Sequence, residues 1–385
     1  MVVQLVFEGG AHTMKSAAVG MLSPWPYYLL SVVVWLLMKP APAQAPFIYV
    51  NNETRPNTVS AFRMDSEGRL SPIPGSPFPT GGDGGTAALF RVFSNATIRT
   101  TRDFLFVCNT ASDTISVFDI HADGSLAPVD GSPFETGGRL PVALATNPQG
   151  TLLFVSHFVS GDLGIFSIAP DGQLTPLPGS PFDVRPLREP AAAVVNSTGE
   201  RLFVVGENAV SVYRIEPEGV VTPLARSQTE WPLEISVITP DDRFLYATGP
   251  EADGIVGFRL SAQGDVTPLP GSPFPGSSGG PLHGLAIDPN QKFLLGTAPG
   301  EAGVYLYRIG FNGRPQRDPR SPFPTSGEIL RPIVFDPNGT FALAADVGEH
   351  TLHVLQLTRR RLVEIEASPF DLGSDRARPS GIAVR

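Results

Sequence analysis

The chain has 385 residues, is 42% hydrophobic and carries a formal net charge of −9 at pH 7. That hydrophobic content belongs to a globular protein, and the acidic balance excludes nucleic acid or an anionic membrane surface as a partner, because no excess of Lys and Arg is left to neutralise phosphates. Cys108 is the single cysteine, which excludes an internal disulfide, a thiolate metal cluster and a haem-attachment motif; beside Phe106 and Val107 it reads as a buried, inert thiol.

At the front, residues 27–38 form an apolar run of about a dozen, short for a membrane span but suited to the core of a signal peptide. Lys15 supplies a positive start directly after Met14, which fits an initiator better than Met1 does. The small residues Ala41-Pro42-Ala43-Gln44-Ala45 offer cleavage sites. Residues 1–45 are therefore expected to be a signal peptide and leader, and the mature chain to be secreted or periplasmic. Lys39 directly after the core is atypical, so an uncleaved membrane anchor stays open.

From residue 46 onward the chain repeats. Phe47-Ile48-Tyr49-Val50-Asn51-Asn52 returns as Phe104–Asn109, Leu152–His157, Arg201–Gly206, Phe244–Gly249, Phe293–Ala298 and Phe341–Asp346. Each copy precedes a strand of alternating β-branched, aromatic and small residues, such as Thr114-Ile115-Ser116-Val117-Phe118, which predicts a half-buried strand. Turns such as Asp123-Gly124 follow, then a short proline-bearing edge strand, where a missing N–H breaks no ladder. Gly-Ser-Pro-Phe closes the unit at Gly75–Phe78, Gly131–Phe134, Gly179–Phe182 and Gly271–Phe274, and is reduced to Ser-Pro-Phe at Ser321 and Ser368. One phenylalanine at the same place per unit predicts wedges between units rather than a surface for stacking sugars. A further strand, such as Leu285-Ala286-Ile287, precedes each strong one.

Four strands in a unit of forty-odd residues predict an all-β fold, a single seven-bladed β-propeller spanning residues 46–385 with four-stranded antiparallel blades. The chain starts on a second strand and ends on a first strand, so Gly381–Val384 should pair beside Phe47–Val50. One blade built from both termini leaves no open edge. Helices should be nearly absent, and the protein is expected to be a monomer.

The units lack the Gly-His and Trp-Asp of WD40 repeats and the paired glycines of kelch repeats. Phe47–Asn52, Asn57–Phe62 and each Gly-Ser-Pro-Phe resemble the seven-bladed lactonase-type propellers, the group of 6-phosphogluconolactonases and 3-carboxymuconate-cyclising enzymes, and also the YVTN-type surface propellers. The resemblance implies a lactonase-type hydrolase or cycloisomerase. These are blade-building motifs, and a fold does not fix a function.

In a propeller the start of each innermost strand and the end of each second strand share one mouth of the central channel. Around the ring the first position reads Ser94, Val142, Ala191, Glu234, His283, Arg331 and Ser380. Glu234 and His283 are the candidate catalytic pair, since a His beside a Glu can move protons near neutral pH. Arg331 is the candidate anion holder. His157, Glu207 and Asp346, at or next to second-strand ends, are further candidates for substrate binding. The alternative is that Glu234, His283 and Arg331 only satisfy one another in a non-catalytic exported propeller that binds a glycan, peptide or partner protein. The resemblance implies Pro-Arg-His at the start of the inner strand, where Pro281-Leu282-His283 stands. It also implies Asn-Glu after a second strand, blurred here to Gly206-Glu207-Asn208.

No EF-hand, His-cluster, P-loop, G-x-S-x-G or dinucleotide pattern is present, so neither a metal nor a cofactor is expected. The expected partner is a small lactone or carboxylate, or else an extracellular glycan or protein. His121, His350 and His353 fall near turns or outer strands and are expected in solvent.

Overall fold

The computed structural model describes residues 45–85, 96–207, 209–252, 254–277, 280–359 and 361–385. The expected signal peptide lies outside the described residues, as does Ser94. Seven antiparallel sheets form the blades, and no helix occurs among the described residues. Blade 1 joins Gly381–Val384 to Phe47–Asn51, Thr58–Met64 and Leu70–Pro72. The innermost strands of blades 2 to 7 are Ile98–Thr100, Pro141–Thr146, Ala192–Val195, Ile235–Ile238, Gly284–Ile287 and Leu330–Phe335. These seven strands touch their neighbours in sequence, and blade 7 returns to blade 1, which closes the ring.

Closure uses the two ends of the propeller as expected. Ile48 pairs with Val384, Tyr49 with Ala383, Val50 with Ile382 and Asn51 with Gly381. Phe47 N–H donates to the Arg385 carbonyl at 2.9 Å, so the pairing runs to the last residue.

The alternating third strands turn out to be buried on both faces, because each blade is sandwiched between two others. Ser60 and Ser116, the polar positions of the alternation, are fully buried. They face side chains at the ends of the second strands. Asn52 Nδ2 donates to Thr58 Oγ1 at 3.0 Å and to Ser60 Oγ at 2.8 Å, and Asn109 Nδ2 repeats both bonds with Thr114 and Ser116. A buried amide needs such partners, which accounts for Asn followed by Thr-x-Ser in these two blades.

Seven apolar clusters fill the seams between adjacent blades. The repeated phenylalanines sit in them: Phe78 packs into the seam of blades 1 and 2, Phe134 into that of blades 2 and 3, and Phe274 into that of blades 5 and 6. The serine before each wedge has its own task. Ala61, Val117, Ile165, Gly257, Leu306 and Val354 N–H groups of the third strands donate to Ser76, Ser132, Ser180, Ser272, Ser321 and Ser368 Oγ at 2.8–3.2 Å. The Ser–Pro bond is cis in all six. Blade 4 has no Gly-Ser-Pro-Phe. There the fourth strand lengthens to eight residues, Val221–Gln228, and pairs along the whole third strand, Ala209–Ile215.

Candidate functional site

Ala191, Glu234 and His283 each stand one residue before an innermost strand and are held alike. Their N–H groups donate to the carbonyls of Val205, Thr248 and Thr297 at 2.9, 2.9 and 2.7 Å. Ser380 N–H makes the matching bond to the Asn51 carbonyl at 3.2 Å. The repeat thus holds these four residues at corresponding places in blades 4, 5, 6 and 1.

Arg331 arrives differently. Its strand pairs Leu330 with Asp346 and then Ile333 with Ala344, so Arg331 and Pro332 form a bulge. Proline has no N–H to give a ladder, and a bulge re-aims the side chain beside it. The Arg331 carbonyl accepts from Thr297 Oγ1 at 2.6 Å. A Cβ on Gly284 would lie 2.0 Å from that same oxygen, so the residue after His283 must be glycine for blades 6 and 7 to approach this closely.

Arg331 acts electrically on His283, and Glu234 acts on Arg331. Burial first, and then the Arg331 charge, push the His283 imidazole down from its ordinary 6.5 to about 4. Burial likewise lowers Arg331, the charge of Arg378 adds to this, and Glu234 opposes both. Glu234 is buried, His283 and Arg331 are half-buried and Arg378 is exposed. The arrangement is an imidazole held neutral under the influence of the Arg331 guanidinium, which itself lies within the influence of Arg378 and Glu234. It can accept a proton from water and hold an anion or a developing oxyanion.

Arg378 was not legible from the repeat, because it lies in the segment leading into the last strand. Its N–H donates to the Asn52 carbonyl at 2.7 Å, which anchors that segment over blade 1. Glu53 was also passed over. It is buried, in the left-handed region at φ 52°. Its Oε1 accepts from Asn51 Nδ2 at 3.2 Å and Ser380 Oγ at 3.1 Å, and its Oε2 from Gly85 N–H and Thr110 Oγ1, each at 2.8 Å. Burial raises its pKa against those hydrogen bonds. Asn52-Glu53 follows a second strand directly in blade 1 and matches the Asn-Glu that the resemblance implies, beside the blurred Gly206-Glu207-Asn208.

The other three candidates have separate settings. His157 is fully buried and its Nδ1 meets Asp162 Oδ1 at 2.7 Å within blade 3. Glu207 pairs with Arg188 at 3.2 Å on a partly exposed surface. Asp346 is fully buried and accepts four backbone N–H groups, from Glu328, Ile329, Gly348 and Glu349, at 2.6–3.2 Å. The expectation of a solvated His353 is corrected: it is buried, with Nδ1 2.7 Å from Glu364 Oε1. Burial resists charge on Glu364, but hydrogen bonds from His353, Ser368 and the Ser326 N–H outweigh it and bring the carboxyl down to about 2. Cys108 is buried as expected, its thiol pushed up by burial and by the nearby Glu53 charge. Among the described residues no group of three or more His, Cys, Asp and Glu is arranged to hold a metal.

Residues 39–185 match the family model described as lactonase, 7-bladed beta-propeller. Solved structures extend the likeness over the ring. A candidate 6-phosphogluconolactonase of Bacteroides fragilis superposes with a TM-score of 0.69 at 18% identity, covering 90% of this chain and 100% of its own. Its counterpart from Bacteroides uniformis gives 0.70 at 16%, covering 89% and 100%. The periplasmic gluconolactonase of Pseudomonas aeruginosa gives 0.64 at 18%, covering 88% and 98%. At such identities the likeness shows the lactonase-type propeller fold alone. No curated protein sequence matches the chain.

Proposed function

We propose that this lactonase-type propeller hydrolyses a small lactone, or forms one from the corresponding carboxylate, at the mouth built by Glu234, His283, Arg331 and Arg378. The carrying observation is that three successive blades present Glu234, His283 and Arg331 at the starts of their innermost strands, where burial and the Arg331 charge hold His283 neutral. In the hydrolytic direction His283, neutral at physiological pH, takes a proton from water as its oxygen attacks the lactone carbonyl carbon. Arg331 stabilises the oxyanion that forms, and Glu234 steadies Arg331. Collapse breaks the bond to the ring oxygen, which recovers the proton from His283 and leaves a hydroxy acid. Arg378 adds a second cation, which suits a substrate that already bears a carboxylate or phosphate. Gluconolactone and 6-phosphogluconolactone, named for the structural neighbours, are the first substrates to try. Export of the chain, expected from its leader, favours the unphosphorylated compound.

A pH-stat assay of the full chain on aldono-, muconate-derived and acyl-homoserine lactones tests this reading, with His283→Ala and Arg331→Ala alongside. Turnover that falls by about 10²-fold or more in both variants is expected, the loss typical of an acid–base group. No turnover above the spontaneous rate on any of these would remove the enzymatic reading and leave a binding propeller.

A further inference from the structure

A third cation faces the central channel, at the end away from His283. Arg99 lies near the end of the innermost strand of blade 2, where Arg99 pairs with Phe106. It lines a cavity of about 430 Å³ to which innermost strands of all seven blades contribute. The remaining wall is mostly apolar, with side chains such as Val194, Val334 and Ile382; Thr100, Thr146 and Ser236 supply the other polar groups. Arg99 Nε donates to the Leu144 carbonyl of blade 3 at 2.9 Å. No carboxylate among the described residues forms an ion pair with it, so its Nη groups remain for a ligand. Burial lowers its pKa, with no anion contributing.

A guanidinium in an apolar channel without a counter-charge is costly. An anionic occupant relieves that cost, and the volume falls within the range of small-molecule sites. We infer that the channel binds a small monocarboxylate with an apolar tail, its carboxylate on Arg99 and its tail against the valine-rich wall. Bidentate contact with the Nη groups suits a carboxylate; the wall excludes a strongly hydrated anion and offers nothing to a cation. This site is separate from the mouth and stands whether or not the mouth is catalytic.

Calorimetric titration of the full chain with hexanoate, hexan-1-ol and hexylammonium tests it. Hexanoate should bind and the other two should not. Arg99→Met should weaken hexanoate at least tenfold, the loss expected for a charge-assisted contact. Arg331→Met should leave it unchanged. A melting scan of Arg99→Met without ligand should show a cooperative transition, lowered by no more than the lost Arg99–Leu144 bond accounts for, so a failure to bind cannot be blamed on misfolding. Hexanoate that does not bind the wild type, that binds Arg99→Met equally well, or that is lost in Arg331→Met overturns the inference.

Discussion

Thr297 Oγ1 donates to the carbonyl of Arg331 at 2.6 Å, and this bond ties the blade that carries His283 to the one that carries Arg331. Gly284 lies against the same carbonyl. The spacing of the imidazole and guanidinium is therefore set by backbone contact across a blade seam, and two substitutions follow. Thr297→Val keeps the shape but strips the carbonyl of its donor, at a cost of about 1–3 kcal/mol. Gly284→Ala puts a methyl 2.0 Å from the Arg331 oxygen and 2.4 Å from Thr297 Oγ1. The blades must then part, for about 1–3 kcal/mol and a loss of activity of about 10²-fold from misplacing the site. Chemical denaturation and lactone turnover of both variants, measured together, check the pair.

The depressed His283 sets the acid limb of any activity. Its imidazole has a pKa of about 4 instead of 6.5, so kcat/KM for a reaction needing it neutral should be level through neutrality and fall only near pH 4. Arg331→Met removes the second cause of the depression, which moves the limb upward while burial still holds it below the ordinary value. Stability has a definite sign as well. Between pH 6.5 and about 4 the unfolded chain binds a proton at this position that the folded chain refuses, so stability falls as pH drops through that window. His283→Gln should flatten this dependence, which urea titrations at several pH values measure.

The ring and its closure were legible because both follow from a period. Phe47–Asn52 and its six echoes marked the second strands, and the mismatch of the ends marked the pairing of Gly381–Val384 beside the first of them, while the register, Val50 opposite Ile382, was left to the structure. Side-chain destinations at the second-strand ends were not legible. Asn52, His157 and Asp346 are at the expected end, yet each turns into its blade and serves neighbouring backbone or side-chain groups, because both faces of a blade are covered. The third strands misled for the same reason: alternation that signals one wet face in an open sheet here marks buried serines meeting buried amides. Glu53 was readable from Asn52-Glu53, whereas Arg378 was not, since it sits between repeats where alignment says nothing.

The serine of Gly-Ser-Pro-Phe is expected to matter to stability as much as the phenylalanine. Ser132→Ala leaves the Val117 N–H, donated to Ser132 Oγ at 2.9 Å, without its acceptor in a fully buried strand, for about 1–3 kcal/mol. Ser180→Ala should cost the same through Ile165, and the two should add, because they lie in different blades. Denaturant midpoints of the single and double variants measure this; an unchanged midpoint in Ser132→Ala would mean that water replaces the hydroxyl.

Removal of residues 381–385 should be far more damaging than its length suggests. The deleted strand is one layer of blade 1 and one segment of the inner ring, touching the innermost strands of blades 2 and 7. Without it Phe47–Asn51 loses its partners from Ile48 to Asn51 and becomes an open inner edge, a template for intermolecular pairing. Ile382, 4% exposed in the seam of blades 1 and 7, and Ala383, in that of blades 1 and 2, are lost together. The truncated chain should aggregate or melt well below the full chain. Ile382→Asp gives the milder version, a charge in a closed apolar seam that costs several kcal/mol while leaving the backbone pairing available. Addition of a peptide of residues 380–385 to the truncated protein should restore part of the lost stability, because the missing layer is held by pairing and packing and not by its covalent link. A truncated chain as stable as the full one would show that blades 2 to 7 hold their curvature without the terminal clasp.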